Sequence, residues 1–369
     1  MLSVYDMEIP LQKQGSRDEL EKKKMKRERN FASDNNSGAC PEVLEVMEES
    51  NREHAAGYGD DEWTRRASDA LREVFQTDCE VFFVFNGTAA NSLALSSTCR
   101  SYHSILCHRL AHLETDECGA PEFFSNGSKV LLLDGEQGKI CPASIEEAVM
   151  RRTDLHYPKP KAVSVTQSTE VGTTYNLKEL QLIGETCRKR DLKFHMDGAR
   201  FANAVVESGL DPSEMITESG VDILCFGSTK NGAMVGDAVI FFDREMADEF
   251  AYRCKQAGQL ASKMRFLSSP WVALLNNDLW LKNATTANKR AEELYQGIRE
   301  FDALRILFPR QANSVFVELS ESVQQKLKER GWRFYTFIGK GGCRFMCSWD
   351  TTAEDITCLV SDLRELVEN

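Results

Sequence analysis

From about residue 80 the chain alternates short uninterrupted apolar runs with stretches of helical or loop character. This predicts strand–helix–strand units in a mostly parallel sheet. The predicted strands are residues 81–85, 104–107, 129–133, 162–165, 193–196, 222–226 and 238–242. Their apolar runs are continuous rather than alternating, as in strands covered by helices on both faces. All seven are therefore expected in one central sheet of an α/β domain. Beyond Leu281 the pattern changes to a charged helix around 287–299, a strand at 314–319, a helix near 323–330, strands at 332–338 and 343–348, and a final amphipathic helix. That order predicts a small C-terminal α+β domain over residues 281–369. A large domain over 31–280 precedes it, with residues 31 to 80 as an N-terminal arm packed across a domain or subunit surface. No internal repeat is visible.

With 369 residues, 42% of them hydrophobic and 28% charged, the chain can bury a large core, and no apolar run approaches the roughly 18 residues needed to cross a bilayer. The twelve cysteines are scattered without a CxxC pair, which points to reduced thiols rather than disulfides or zinc, and so to a cytoplasmic protein without a metal site. A formal charge of −12 offers no basic surplus for neutralising phosphates along a nucleic acid, so a small-molecule substrate is expected. Between Arg17 and Arg29, lysines and arginines are interleaved with Asp18, Glu19, Glu21 and Glu28. This mixture lacks the apolar stretch of a signal peptide and the acid-poor composition of a transit peptide. Residues 1–30 read as a charged leader, helical or disordered in solvent, with an electrostatic contact to a partner as the alternative.

Three segments carry candidate chemistry. Asn86-Gly87-Thr88 follows an apolar run and opens a helix. Glycine there lets an anion approach the free N–H groups of the first turn and Thr88 can add its hydroxyl, although the same residues also suit a plain helix cap. In His195-Met196-Asp197-Gly198-Ala199-Arg200, Asp197 ends a predicted strand, where open α/β sheets bind ligands. It can pair with a protonated heterocyclic nitrogen or cap the next helix, and Arg200 is either a carboxylate clamp or a solvated charge. Gly227-Ser228-Thr229-Lys230 again follows a strand, and a lysine held there can condense with an aldehyde. An anion-binding turn, a strand-end aspartate and a strand-end lysine, in that order on one sheet, are what a pyridoxal 5′-phosphate site requires.

The set resembles the fold type I pyridoxal-phosphate enzymes, and within them the low-specificity L-threonine aldolases of the threonine aldolase and beta-eliminating lyase family. The resemblance runs from about Phe31 to the C-terminus. It is carried by Phe31-Ala32-Ser33-Asp34-Asn35, Tyr58-Gly59-Asp60-Asp61, Asn86-Gly87-Thr88, His112, the run 195–200 and Lys230. It implies that Lys230 is the Schiff-base lysine and that His112 stacks on the cofactor ring. It also implies that His156 lies near the substrate hydroxyl, that Arg344 joins Arg200 and Ser33 around the substrate carboxylate, and that Ser228 is a further phosphate ligand. Where many relatives have serine, the turn here begins with Asn86. The 258–265 segment is longer than in some relatives, and both Lys263 and Arg265 are candidates to reach a neighbouring subunit's cofactor. Tyr58 is expected among the substrate-binding residues, at a subunit boundary that crosses the active site of a homodimer or homotetramer, with Tyr58–Asp61 approaching the neighbouring cofactor.

The implied reaction is retro-aldol cleavage of L-threonine, L-allo-threonine and related β-hydroxy amino acids to glycine and an aldehyde. His112 and His156 are the catalytic histidines beside Lys230. A β-eliminating lyase or aminotransferase of the same fold would share the lysine, the aspartate and the arginines, but would give a keto acid. A dinucleotide-binding oxidoreductase would need a GxGxxG turn in the first unit, which is lacking. A non-catalytic scaffold would carry no bound chromophore.

Overall fold

The computed structural model describes residues 30–368, and the charged stretch from Arg17 to Arg29 lies outside them. The seven predicted strands all form: β1 (Glu80–Val84), β2 (His103–His108), β3 (Lys129–Leu133), β4 (Lys159–Thr166), β5 (Lys193–Gly198), β6 (Ile223–Phe226) and β7 (Asp237–Phe241). They make one sheet in the order β1-β7-β6-β5-β4-β2-β3. Only β7 runs against its neighbours, pairing antiparallel with β1 and β6. Every residue of β2, β6 and β7 is buried, in keeping with the unbroken apolar runs Ile105–Cys107, Ile223–Phe226 and Ala238–Phe241 within them. Among the described residues no helix is long and apolar enough to cross a membrane.

Local chemistry fixes where the helices start. Asp61 caps the helix Glu62–Phe75, its carboxylate accepting from the Thr64 N–H (2.9 Å) and the Thr64 hydroxyl (2.9 Å). The acidic end of the Tyr58–Asp61 stretch therefore has a structural task. The helix's buried face, Ala67, Leu71 and Phe75, spaced four residues apart, packs into the main core. Beneath the end of β6, Phe226 meets Phe201, Trp271 and Trp280 edge-on, with ring centroids 5.2, 4.8 and 5.4 Å away. Each such pair adds about 0.5–1.5 kcal/mol beyond the area it buries. The strand that delivers Lys230 thus rests on a rigid aromatic floor.

The C-terminal residues form a second, antiparallel sheet, β10-β11-β9-β8, from β8 (Arg305–Ile306), β9 (Ser314–Glu318), β10 (Tyr335–Ile338) and β11 (Gly342–Met346). The two-residue β8 had no apolar run to announce it. The first described residues belong to this part of the molecule. Phe31 donates its N–H to Arg333 O (2.8 Å), accepts from Met346 N–H (2.8 Å) and stacks near Trp332 at 5.7 Å. The 20-residue helix Leu279–Ile298 packs against both Phe201–Ser208 of the large sheet's cover and the final helix Ala353–Glu368. With Phe31 held beside the small sheet, Asp34 is delivered to the rim of the large one.

Candidate active site

A cleft of about 230 Å³ opens at the C-terminal ends of β4, β5 and β6, and Lys230, Asp197 and His112 all line it. Each comes from the C-terminal end of a different strand or from the segment that follows it. Asp197, the penultimate residue of β5, is 4% exposed. One carboxylate oxygen accepts from the Ala199 N–H two residues on (2.9 Å), a local turn contact rather than a cap of the following helix, while the other accepts from Asn91 Nδ2 (2.8 Å). The same Asn91 amide donates its second hydrogen to Glu117 (2.9 Å), and Glu117 in turn holds His112 Nδ1 (2.9 Å). One asparagine therefore ties the strand-end aspartate to the histidine. The Glu117 hydrogen bond outweighs burial and holds the His112 imidazole pKa above its ordinary value.

Lys230 lies in the one-turn helix Thr229–Asn231 after β6. Burial first, and then the Arg200 charge, hold its ammonium pKa below the usual lysine range, which favours the nucleophilic neutral amine. The turn is anchored on both sides. Asp237, at the start of β7, accepts from Ser228 N–H (2.9 Å), and Asn283 donates to Asn231 O (2.9 Å). Glycine is needed at two flanking positions. A Cβ at Gly227 would stand 2.8 Å from the Ala199 backbone; Gly236 has φ +99° and its Cβ would come within 2.3 Å of Leu267 O.

Gly87 and Thr88 open the helix Gly87–Thr98 at the cleft wall. Asn86 is the cap, its side chain accepting from Ala89 N–H (3.0 Å), so the turn is both a cap and an open helix N-terminus. Ser228 departs from its expected role: its side chain is buried, and its hydroxyl donates to Gly236 O (2.9 Å) rather than facing the cleft. Thr229 lines the cleft instead.

The carboxylate-binding trio also changes. Arg200 is bound bidentately by Asp34 (2.7 and 2.8 Å). Although burial pushes the Asp34 carboxyl up, Arg200 outweighs it and holds its pKa below the usual value. Ser33 caps the turn Asp34–Asn36 by accepting from Asn35 N–H (3.2 Å) and faces a separate polar pocket with Ser37 and Asp350, while its neighbour Asn35 lines the cleft. Arg344 makes no ion pair with any described residue. It donates to Ala32 O (3.1 Å), lies over the Phe337 ring at 4.9 Å, and keeps a buried Nε without a partner. Burial pushes its pKa down to about 10. A half-buried cation short of partners beside an already paired one is what an incoming carboxylate would complete.

His156 is not brought to the cleft. It sits in an exposed turn ahead of β4, its N–H donating to Asp154 (2.9 Å), whereas the cleft lies at the far end of that strand, at Thr166. Eight residues of strand put roughly 23 Å between the two ends. Tyr58 is also outside the chain's own cleft, exposed with Lys255 Nζ 4.8 Å above its ring. Lys263 and Arg265 do not line it either; Arg265 donates to Glu53 O (3.4 Å).

Four site residues escaped the sequence reading: Asp34, Asn91, Glu117 and Glu170. Asn91 had a signal, lying four residues after Gly87 on the same helix face. Asp34 had a weaker one beside Ser33. Glu170 follows β4 with no pattern to mark it.

The residues present fit pyridoxal phosphate. They supply an amine for its aldehyde, a carboxylate for its ring nitrogen and an open helix N-terminus for its phosphate. Asn91 Oδ1, Ser168 Oγ and Glu170 Oε2 are buried without hydrogen-bond partners in the cleft wall.

Comparison with known proteins agrees. The profile of the beta-eliminating lyase family matches residues 30–322. The low specificity L-threonine aldolase of Pseudomonas aeruginosa is 58% identical over 334 residues, covering 90% of this chain and 96% of the relative. That of a Pseudomonas species is 56% identical, covering 91% and 97%. Among solved structures, the threonine aldolase of Leishmania major superposes with a TM-score of 0.87 at 29% identity, over 92% of this chain and 99% of that one. The fold alone is shared with the ureidoglycine–glyoxylate aminotransferase of Bacillus subtilis, at 18% identity and a TM-score of 0.68 over 93% of each chain. On these matches and this cleft, the chain belongs to the threonine aldolase and beta-eliminating lyase family.

Proposed function

We propose that the protein is a pyridoxal-phosphate aldolase that cleaves L-threonine, L-allo-threonine and related β-hydroxy amino acids to glycine and an aldehyde. The observation that carries this reading is the meeting of Lys230, Asp197 and His112 in one cleft, in a chain so similar to low-specificity threonine aldolases. When bound, the cofactor supplies a sink for the electron pair released as the Cα–Cβ bond breaks. The remaining work falls to side chains. Lys230 would offer its amine to the cofactor's aldehyde, Asp197 would hold a proton on the ring nitrogen, and the N–H groups of Gly87 and Thr88, with Thr229 nearby, would receive the phosphate. His112, in the cleft wall, would be the imidazole that helps hold the ring. Arg344 would take the substrate carboxylate, with Arg200 held in place by Asp34 as the second positive charge, and the two would orient the Cα–Cβ bond for cleavage.

The reading extends to a cytoplasmic homodimer or homotetramer. Tyr58, Lys263 and Arg265 lie outside their own cleft, and in an assembly they are free to approach a neighbour's. The test is an aldehyde-release assay on L-threonine, L-allo-threonine and phenylserine. Equal amounts of glycine and aldehyde are expected, and a keto acid would overturn the aldolase reading in favour of elimination or transamination. Lys230→Ala should abolish turnover and the visible absorbance of the loaded enzyme.

A further inference from the structure

Breaking the Cα–Cβ bond requires a group to accept the proton of the β-hydroxyl, and with His156 at the opposite end of β4 the cleft must supply it. Most bases in the wall are committed. Asp197 is held by Ala199 and Asn91, and Asp237 by Ser228 and Thr229. Lys230 has the cofactor's aldehyde to serve. His112 is bound through its ring to Glu117, which favours the protonated imidazolium.

Glu170 is different. It stands on the loop after β4 and lines the same cleft. One carboxylate oxygen, Oε1, accepts from the His112 backbone N–H (2.9 Å) and the Thr166 hydroxyl (2.7 Å), which fixes the plane of the group. The other, Oε2, is buried with no partner. An unfilled acceptor on a buried carboxylate is costly unless something completes it. The groups in electrostatic reach are Asp197, Arg200, Tyr175 and Cys107, and no described cation forms an ion pair with Glu170.

We propose that Glu170 is the catalytic base for the β-hydroxyl. Its Oε2 takes the hydroxyl proton, the O–H pair becomes the second bond of the aldehyde carbonyl, and the Cα–Cβ pair departs on the Cα side. A proton later delivered to Cα completes glycine, so the cleavage consumes no other reactant. Burial pushes the Glu170 pKa up to about 7, which lets one group accept and return a proton near neutral pH. This rests on the threonine aldolase reading of the cleft.

Glu170→Gln is a sharp test, because the amide oxygen can still accept from His112 N–H and the Thr166 hydroxyl while the basic oxygen is gone. In the loaded enzyme, cleavage of L-threonine should fall about 100-fold or more, within the usual range for a lost general base. Exchange of the Cα hydrogen of glycine in heavy water breaks no O–H bond and should persist. The rise of wild-type kcat/KM with pH through about 7 should disappear from the residual activity. The thermal midpoint of the cofactor-free variant should match that of wild type. Cleavage at the wild-type rate would overturn the proposal, and so would equal losses of cleavage and glycine exchange, the mark of a residue that only positions His112. Absence of aldehyde from wild type itself would instead reject the aldolase reading on which the proposal stands.

Discussion

Asp34→Asn should destabilise the fold by about 3–5 kcal/mol, the usual cost of leaving a buried charge without its partner. The magnitude follows from the setting. The Asp34 side chain is fully buried and Arg200 is 14% exposed, so solvent screens the pair little. Asp34 accepts two bonds from Arg200 and one from Asn313 (3.0 Å), and the substitution replaces one acceptor oxygen with an NH₂ group and removes the charge. The assay is urea unfolding of cofactor-free protein at fixed concentration, so that neither ligand nor subunit association shifts the midpoint. Removing the guanidinium as well, in Asp34→Asn with Arg200→Met, should recover at least about 2 kcal/mol, because the orphaned cation goes with its partner. The pH dependence has a definite sign. Asp34 has a lowered pKa in the folded state, so its contribution is fully present above the unfolded value and is lost as pH falls through the folded one. The gap between wild type and Asp34→Asn should stay level from about pH 7 to about pH 5 and close only in stronger acid. A single variant within about 0.5 kcal/mol of wild type would refute the reasoning. So would a double variant less stable than the single.

Arg344→Gln should reduce kcat/KM for threonine about tenfold or more while leaving bound cofactor unchanged, since a charge-assisted pair is worth roughly 1.5–3 kcal/mol; unaltered constants would put the clamp elsewhere. His156→Ala should change kcat/KM by no more than about twofold, as for other exposed positions, and a hundredfold loss would reveal that it reaches a cleft in the assembly. Asn91→Leu deprives Asp197 and Glu117 of a shared donor and should weaken cofactor retention about tenfold or more by equilibrium dialysis. Retention equal to wild type would show that neither carboxylate depends on it. Sedimentation at assay concentrations should find a dimer or tetramer, and a fully active monomer would remove any role of Tyr58 in a neighbouring site.

The large sheet was legible because burial on both faces leaves strands such as Ile223–Phe226 with no polar position to break the run. The chemistry at strand ends was legible for the same reason: Asp197 and Lys230 are polar residues where an apolar run stops. What failed was anything set by long-range approach. His156 was placed beside the substrate hydroxyl by the resemblance alone, but it precedes the strand whose other end reaches the cleft. Ser228 looked like a phosphate ligand among small polar neighbours, but the reversal into β7 turned its hydroxyl toward Gly236. Asp34 became a partner of Arg200, 166 residues away, only because Phe31 is seated beside the small sheet. No local pattern encodes such a pairing.

The reversed strand β7 has a mechanical consequence. In an all-parallel sheet the chain after the lysine would depart into a crossover helix, and the lysine turn would be held at one end only. Here β6 and β7 run side by side, with Phe226 opposite Ala238, so residues 227–236 form a closed loop whose two feet stand on the same sheet. Asp237 laces it shut through Ser228 N–H. Backbone motion of the loop then requires parting two central strands, while the Lys230 side chain swings on a fixed pivot. In hydrogen exchange, the Ser228 amide should behave as part of the slowest-opening sheet rather than as loop, so the lysine that must repeatedly attach and let go is carried by one of the least mobile stretches of backbone in the molecule.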